Sequence, residues 1–241
     1  VDRLNSVRTR NTRLAAIRSF FGYAGLHHPE HAASIRRVLA IPPKRFERNL
    51  VAFLTEAEVD ALLNACDRGT WTGRRDYTML VLAVQTGLRI SEFTGLSCKD
   101  VVLASGAHVH CMGKGRKERN TPLLPSTVKV LRVWLAERQL APSQPLFSTS
   151  TGRSLSRDAV ERRLSLYVSV ADQHCPSISS KPVTAHTLRH TAAMRLLLSG
   201  VDVPAIPSWL CPYQLATTHL FIPPDLTPHH PRTAPPPPPP P

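Results

Sequence analysis

Three short stretches of this sequence put cations where they could act on a phosphate. In Thr86-Gly87-Leu88-Arg89-Ile90-Ser91-Glu92 an arginine follows directly on an apolar helical run. A guanidinium there either matches two phosphate oxygens with its planar fork or pairs locally with Glu92, three residues on. In His186-Thr187-Leu188-Arg189-His190 the imidazole of His186 and the guanidinium of Arg189 are three apart, so at the start of a helix they share a face. Such a pair could grip a phosphate and manage a proton, or serve as an ordinary surface pair. Lys114 sits between Gly113 and Gly115 at a hairpin tip, with Arg116, Lys117 and Arg119 behind it. It reads either as an exposed turn lysine or as a mobile ammonium able to protonate a departing alkoxide.

The elements that must carry these groups can be read from spacing. Thr12 to Tyr23 sets Leu14, Ile17, Phe20 and Phe21 on one side of a helix and Arg13 and Arg18 on the other. A second helix runs from Pro29 to Leu39, and the pair makes too small a core, so part of this unit is expected to lie upstream. Residues 41–49, with Pro42-Pro43 and three cations, read as a linker. Thr55 and Glu58 form a capping box that opens a helix to Cys66. A helix from Arg75 to Gln85 is stopped by Gly87. Residues 107–112 and 118–124 read as two strands, and helices follow at about 126–140, 156–171 and 184–199, the last ended by Gly200. Beyond residue 200 lie 14 of the 23 prolines, including an unbroken run from 235 to 241, which points to a disordered or polyproline-like tail.

Charge narrows the partner. Lys and Arg number 30 against 17 Asp and Glu, for a net charge of +13 over 241 residues. The first fifty residues hold ten of the cations and three acids. Such an excess favours a polyanion, because each neutralised phosphate releases a counterion. The best apolar run, Met79 to Val84, is far too short to span a bilayer, and from the polar, basic first residues no signal peptide is expected. Val1 in the place of an initiator methionine reads as a fragment or a trimmed chain. Five scattered cysteines (66, 98, 111, 175 and 211) without a CxxC pair read as reduced thiols of a cytoplasmic protein, not as a disulfide or zinc framework.

Taken in order, the stretches resemble the tyrosine recombinase (phage integrase, XerC/XerD-like) catalytic domain. That family shows TGLRxSE, GKGxKER with a trailing Pro-Leu, HxLRHT, a WLGH-like segment and TTxxY. Here stand Thr86–Glu92, Gly113–Arg119 with Pro122-Leu123, His186–Thr191, Trp209-Leu210, and Thr217-Thr218-His219-Leu220-Phe221. The stretch Arg10 to Phe21 resembles the end of the family's helical core-binding domain.

The resemblance implies a mainly α fold with a small antiparallel sheet. Residues 1–40 would be a truncated core-binding domain, 41–49 a linker, 50–222 the catalytic domain and 223–241 a Pro-rich tail. It implies double-stranded DNA as partner, an ancestral tetramer on that DNA, and site-specific recombination through a 3′-phosphotyrosine without metal or other cofactor. Carried across, Arg89, Arg189 and His186 would stabilise the phosphorane and Lys114 would protonate the leaving oxygen. Two positions depart. The second-histidine position holds Pro212, and the nucleophile position holds Phe221, which has no oxygen to attack with. The expectation is therefore a cleavage-defective recombinase, or a DNA-binding relative without chemistry, as in a decayed mobile-element integrase. Arg10, Arg13, Arg18, Lys44, Arg45, Arg48, Arg116 and Lys117 are the candidates for backbone contacts, which fix position without reading sequence.

Overall fold

A computed structural model describes residues 5–45, 52–112, 118–138 and 141–200. The chain divides into two compact units, Val1–Asn49 and Leu50–Pro241.

In the first unit, helix α1 spans Val7–His27, longer at both ends than its apolar spacing indicates, with Ser6 accepting from the Thr9 amide as its cap. A single 3-10 turn, Pro29–His31, leads into α2, Ala32–Leu39. Leu14 and Ile35 are the buried apolar residues where the two pack. Of the face expected to be apolar, Phe21 is half-buried, but Ile17 and Phe20 stand in solvent. Residues 41–45 form no helix or strand, yet they are fastened to α1. The Asn11 amide donates to the Lys44 carbonyl (2.8 Å) and accepts from the Lys44 N–H (3.0 Å).

The second unit is mainly helical around one small sheet. Its helices are α3 (Glu56–Asn64), α4 (Trp71–Thr86), α5 (Ile90–Thr94), α6 (Pro125–Arg138), α7 (Arg157–Asp172) and α8 (Ala185–Leu198). Strands β1 (Val101–Val102), β2 (His108–Met112) and β3 (Glu118–Pro122) pair antiparallel in that order, with Cys111 opposite Arg119. The Thr55–Glu58 capping box forms as its spacing indicates. Helix α4 begins four residues before Arg75, capped by Thr70. Gly73 stands in its first turn. In the structure it is a close approach, since a Cβ there would fall 1.8 Å from the Asp67 carbonyl oxygen. Gly87 closes α4 in the left-handed conformation (φ 57°), which glycine adopts without strain.

Helix α4 is the hub, packing on α3, α6 and α8. Around it Leu62, Leu80, Leu82, Leu131 and Leu146 lose essentially all solvent exposure, and the Trp134 indole donates to the Leu146 carbonyl (2.9 Å). Two buried carboxylates tie α4 to α7 and α3 to the segment that leads into α8. Asp76 takes hydrogen bonds from Arg75 (2.8 Å) and from Tyr167 on α7 (2.7 Å), and pairs with Arg163. Burial and the Asp76 carboxylate push the Tyr167 phenol well above its usual range, so the hydroxyl stays a donor. Glu58 accepts from Lys181 (2.6 Å) and Ser177 (2.7 Å), and Lys181 also reaches the Phe53 carbonyl (3.0 Å). Burial by itself would raise the Glu58 carboxyl. Its hydrogen bonds outweigh that and hold it below the ordinary range. The first pair fixes α7 against α4, and the second fixes the approach to α8.

None of the four described cysteines is in a disulfide; burial pushes the Cys66 thiol up to about 12. Among the described residues no helix is long and apolar enough to cross a membrane, and no group of three or more His, Cys, Asp or Glu is placed to hold a metal ion.

Candidate functional site

Helix α8 begins at Ala185 behind a Thr184 cap, whose hydroxyl accepts from the Thr187 amide, while the Thr187 hydroxyl donates to the Pro182 carbonyl (2.6 Å). This sets His186 in the first turn of α8, where the Ala185 N–H is turned to the Glu161 carboxylate (3.4 Å) and the Thr187 N–H to the Thr184 hydroxyl (3.3 Å). Arg189 lies one turn further on, 5% exposed, and donates to the Gly87 carbonyl at the end of α4. Two residues after Gly87 comes Arg89. The three groups line one cavity of about 390 Å³ together with Arg157 and Glu161 of α7. His186 faces solvent there, Arg89 is half-buried and Arg189 forms the floor.

The local pairing of Arg89 is also present, so its two readings hold together. Its Nη1 meets Glu92 Oε1 at 3.0 Å and its backbone N–H donates to Oε2 at 2.9 Å. Arg89 keeps 28% of its side chain exposed while Glu92 keeps 3%. The guanidinium is thus held by a buried carboxylate on one side and borders the cavity on the other. Arg119 stands on β3 opposite Cys111. It turns inward from β3, 13% exposed, and donates to Glu92 Oε2 at 2.8 Å.

His190 packs edge-to-face on His186, ring centroids 4.2 Å apart. Burial first, then His186 and Arg189, pushes its imidazole down to about 4, so it stays neutral near pH 7.

Lys114, Arg116, Lys117, Arg48, Pro212 and Phe221 lie outside the described residues. Of the proposed backbone-contact cations in the first unit, Arg13, Arg18, Lys44 and Arg45 are exposed. Arg10 is half-buried, its guanidinium turned to Asn11 (3.2 Å) and the Pro42 carbonyl (3.4 Å), so it is engaged within its own unit. Arg157 and Glu161 escape a reading of motifs. The available signal was their spacing of four behind the capping Ser156, which places both on one helical face beside each other.

A mainly helical unit with a three-stranded antiparallel sheet, with two arginines and a histidine lining one cavity, has the architecture of a tyrosine recombinase catalytic domain. The chain belongs to the phage integrase family, whose sequence pattern matches residues 52–220. It is 52% identical over 217 residues to y4rC of Sinorhizobium fredii (strain NBRC 101917 / NGR234), which carries an integrase/recombinase name. That match covers 90% of this chain and 65% of y4rC, so the chain spans just under two thirds of that relative's length. It is 34% identical over 218 residues to the tyrosine recombinase XerC of Pelobacter propionicus (strain DSM 2379 / NBRC 103807 / OttBd1), covering 88% of this chain and 68% of that one. Among solved structures, the Tn1549 transposon integrase in complex with circular intermediate DNA superposes with a TM-score of 0.68 at 18% identity, over 90% of this chain and 76% of that one. The XerH site-specific recombinase bound to difH substrate gives 0.64 at 23% identity, over 90% and 62%. These two likenesses concern the fold.

Proposed function

We infer that the chain is a DNA-binding member of its family that grips a phosphodiester in the α8 cavity and has lost strand cleavage. The observation that carries this is the convergence of Arg89, His186 and Arg189 on one cavity at the start of α8. Preorganised cations around a phosphate lower the cost of developing charge, so the geometry suits a phosphorane as well as a bound diester. Lys114 would supply the proton for a leaving oxygen. Arg13, Arg18, Lys44, Arg45, Arg48, Arg116 and Lys117 would hold the backbone, with Arg10 a weaker member because of its internal bonds.

The chemistry fails at attack. Phe221 at the nucleophile position has no oxygen, and Pro212 at the second-histidine position offers no donor. Residues 1–40 then act as part of a core-binding domain, 41–49 as its linker, 50–222 as the catalytic domain and 223–241 as a tail. The partner is double-stranded DNA, the ancestral assembly a tetramer on it, the compartment the cytoplasm, and no cofactor is needed.

Covalent trapping on nicked duplex DNA tests this reading. The chain as it stands should give no DNA–protein band, and Phe221→Tyr with Pro212→His should restore one. A band from the unaltered chain would show another nucleophile at work. Equal binding of Arg89→Ala and the unaltered chain to duplex DNA would remove the phosphate grip itself.

A further inference from the structure

Arg119 is half-buried, with most of its guanidinium turned away from solvent. Its Nε and Nη1 are shielded from solvent beside the Cys111 thiol, a weak acceptor, and meet no oxygen acceptor among the described residues; Nη2 reaches Glu92. A buried guanidinium with unsatisfied donors is expensive, and an apolar side chain in such a place is often neutral or stabilising. What Arg119 does hold is one oxygen of the carboxylate whose other oxygen holds Arg89.

We propose that Arg119 is a positioning residue that neutralises Glu92, so that the charge of Arg89 remains available to a phosphate. This rests on the reading of the α8 cavity as a phosphate grip. Two guanidinium groups share one carboxylate, which leaves the cluster with one net positive charge. Without Arg119, Glu92 faces Arg89 alone in a poorly solvated place, and the pair is electrically balanced. A phosphate approaching Arg89 then meets an ion pair in place of a cation. Glu92 must stay, because it also accepts the Arg89 backbone N–H and orients the first turn of α5. The arrangement fixes the guanidinium with a carboxylate and cancels that carboxylate from behind. It also links strand β3 to Arg89 through two hydrogen bonds, so the sheet and the grip share one electrostatic unit.

The test is the affinity of the full chain for a short duplex oligonucleotide at fixed low salt, with thermal melting in parallel. Arg119→Met should weaken binding about tenfold, the effect of one lost charge at moderate dielectric. Arg119→Lys should stay within about threefold of the unaltered chain, since the charge is kept. Adding Glu92→Gln to Arg119→Met should bring affinity back, because the glutamine oxygen still accepts the Arg89 N–H without a charge to cancel. A role in folding alone would leave that double variant as weak as the single. If the methionine variant does not fold, Arg119→Gln replaces it in the same cycle. Unchanged affinity in the neutral variants, or no recovery in the double variant, overturns the proposal. Arg89→Ala separates the two claims. If it weakens binding while Arg119→Met does not, only the relay falls; if it does not weaken binding, the phosphate grip falls and the relay with it.

Discussion

Helices α1 and α4 make an instructive pair. The first runs for 21 residues and buries Leu14 alone; the second runs for 16 and buries nine, among them Arg75 and Asp76. Helix α1 leaves Ile17, Phe20, Tyr23 and Leu26 in solvent, Phe20 at 64%. Both have side-chain caps at the start, so local signals do not separate them. The difference is what each has to hold. Helix α4 ends at Gly87, two residues before Arg89, and it is clamped by buried charge pairs, by Trp71 tilted on Trp134 of α6 and by the close approach at Gly73. Helix α1 carries the exposed Arg13 and Arg18, and any contribution they make to binding a polyanion would depend on sign more than on place.

That contrast predicts a steep gradient of mutational cost. Asp76→Ala should be the worst, removing the carboxylate that pairs Arg75, Arg163 and Tyr167, at about 3–5 kcal/mol for a broken buried pair. Chemical denaturation of the full chain measures it, and a loss under about 1 kcal/mol would mean the network is not what clamps α4 to α7. Gly73→Val comes next, because its side chain would enter the Asp67 carbonyl; overpacking of this kind costs about 1–3 kcal/mol or more. An unchanged melting temperature would show that the first turn of α4 moves aside freely.

Acid should act through His190. Its folded-state pKa lies near 4, below the usual 6.5, so between those values the unfolded chain binds more protons than the folded one. Stability from this group is therefore complete above about pH 6.5 and is lost as pH falls toward 4. His190→Asn should flatten the pH dependence of melting in that window. A variant as acid-sensitive as the parent would place the proton elsewhere. The smallest effect belongs to α1: Phe20→Ser should change stability by no more than about 0.5 kcal/mol, as for other exposed positions. A cost well above that would reveal that this face is covered in solution and would break the comparison.

Much of the positioning was legible in the residues. Thr55 with Glu58, and Gly87 after an apolar run, announce a helix start and a helix end, because capping chemistry is local. The convergence of Arg89, His186 and Arg189 was legible through their motifs; periodicity alone leaves each with a bland alternative. What stayed hidden is long-range. Asp76 and Arg163 are 87 positions apart, and nothing near either names the other. Helix α4 starts four residues before the expected Arg75, because Thr70 caps it and the backbone at Gly73 packs against the Asp67 carbonyl. Helix α5, five residues long, is too short for periodicity to show. Arg119 looked like one more cation near a turn until the strand register turned it inward.

The bond from Arg189 to the Gly87 carbonyl closes a loop of 102 residues. Closing a loop of that length early is entropically unfavourable, so the cavity cannot precede the docking of α8 on α4. The cavity therefore exists only when α4 and α8 are both in place. A ligand that recognises it selects the folded state as a whole. Bound DNA would then slow global unfolding as well as occupy a surface.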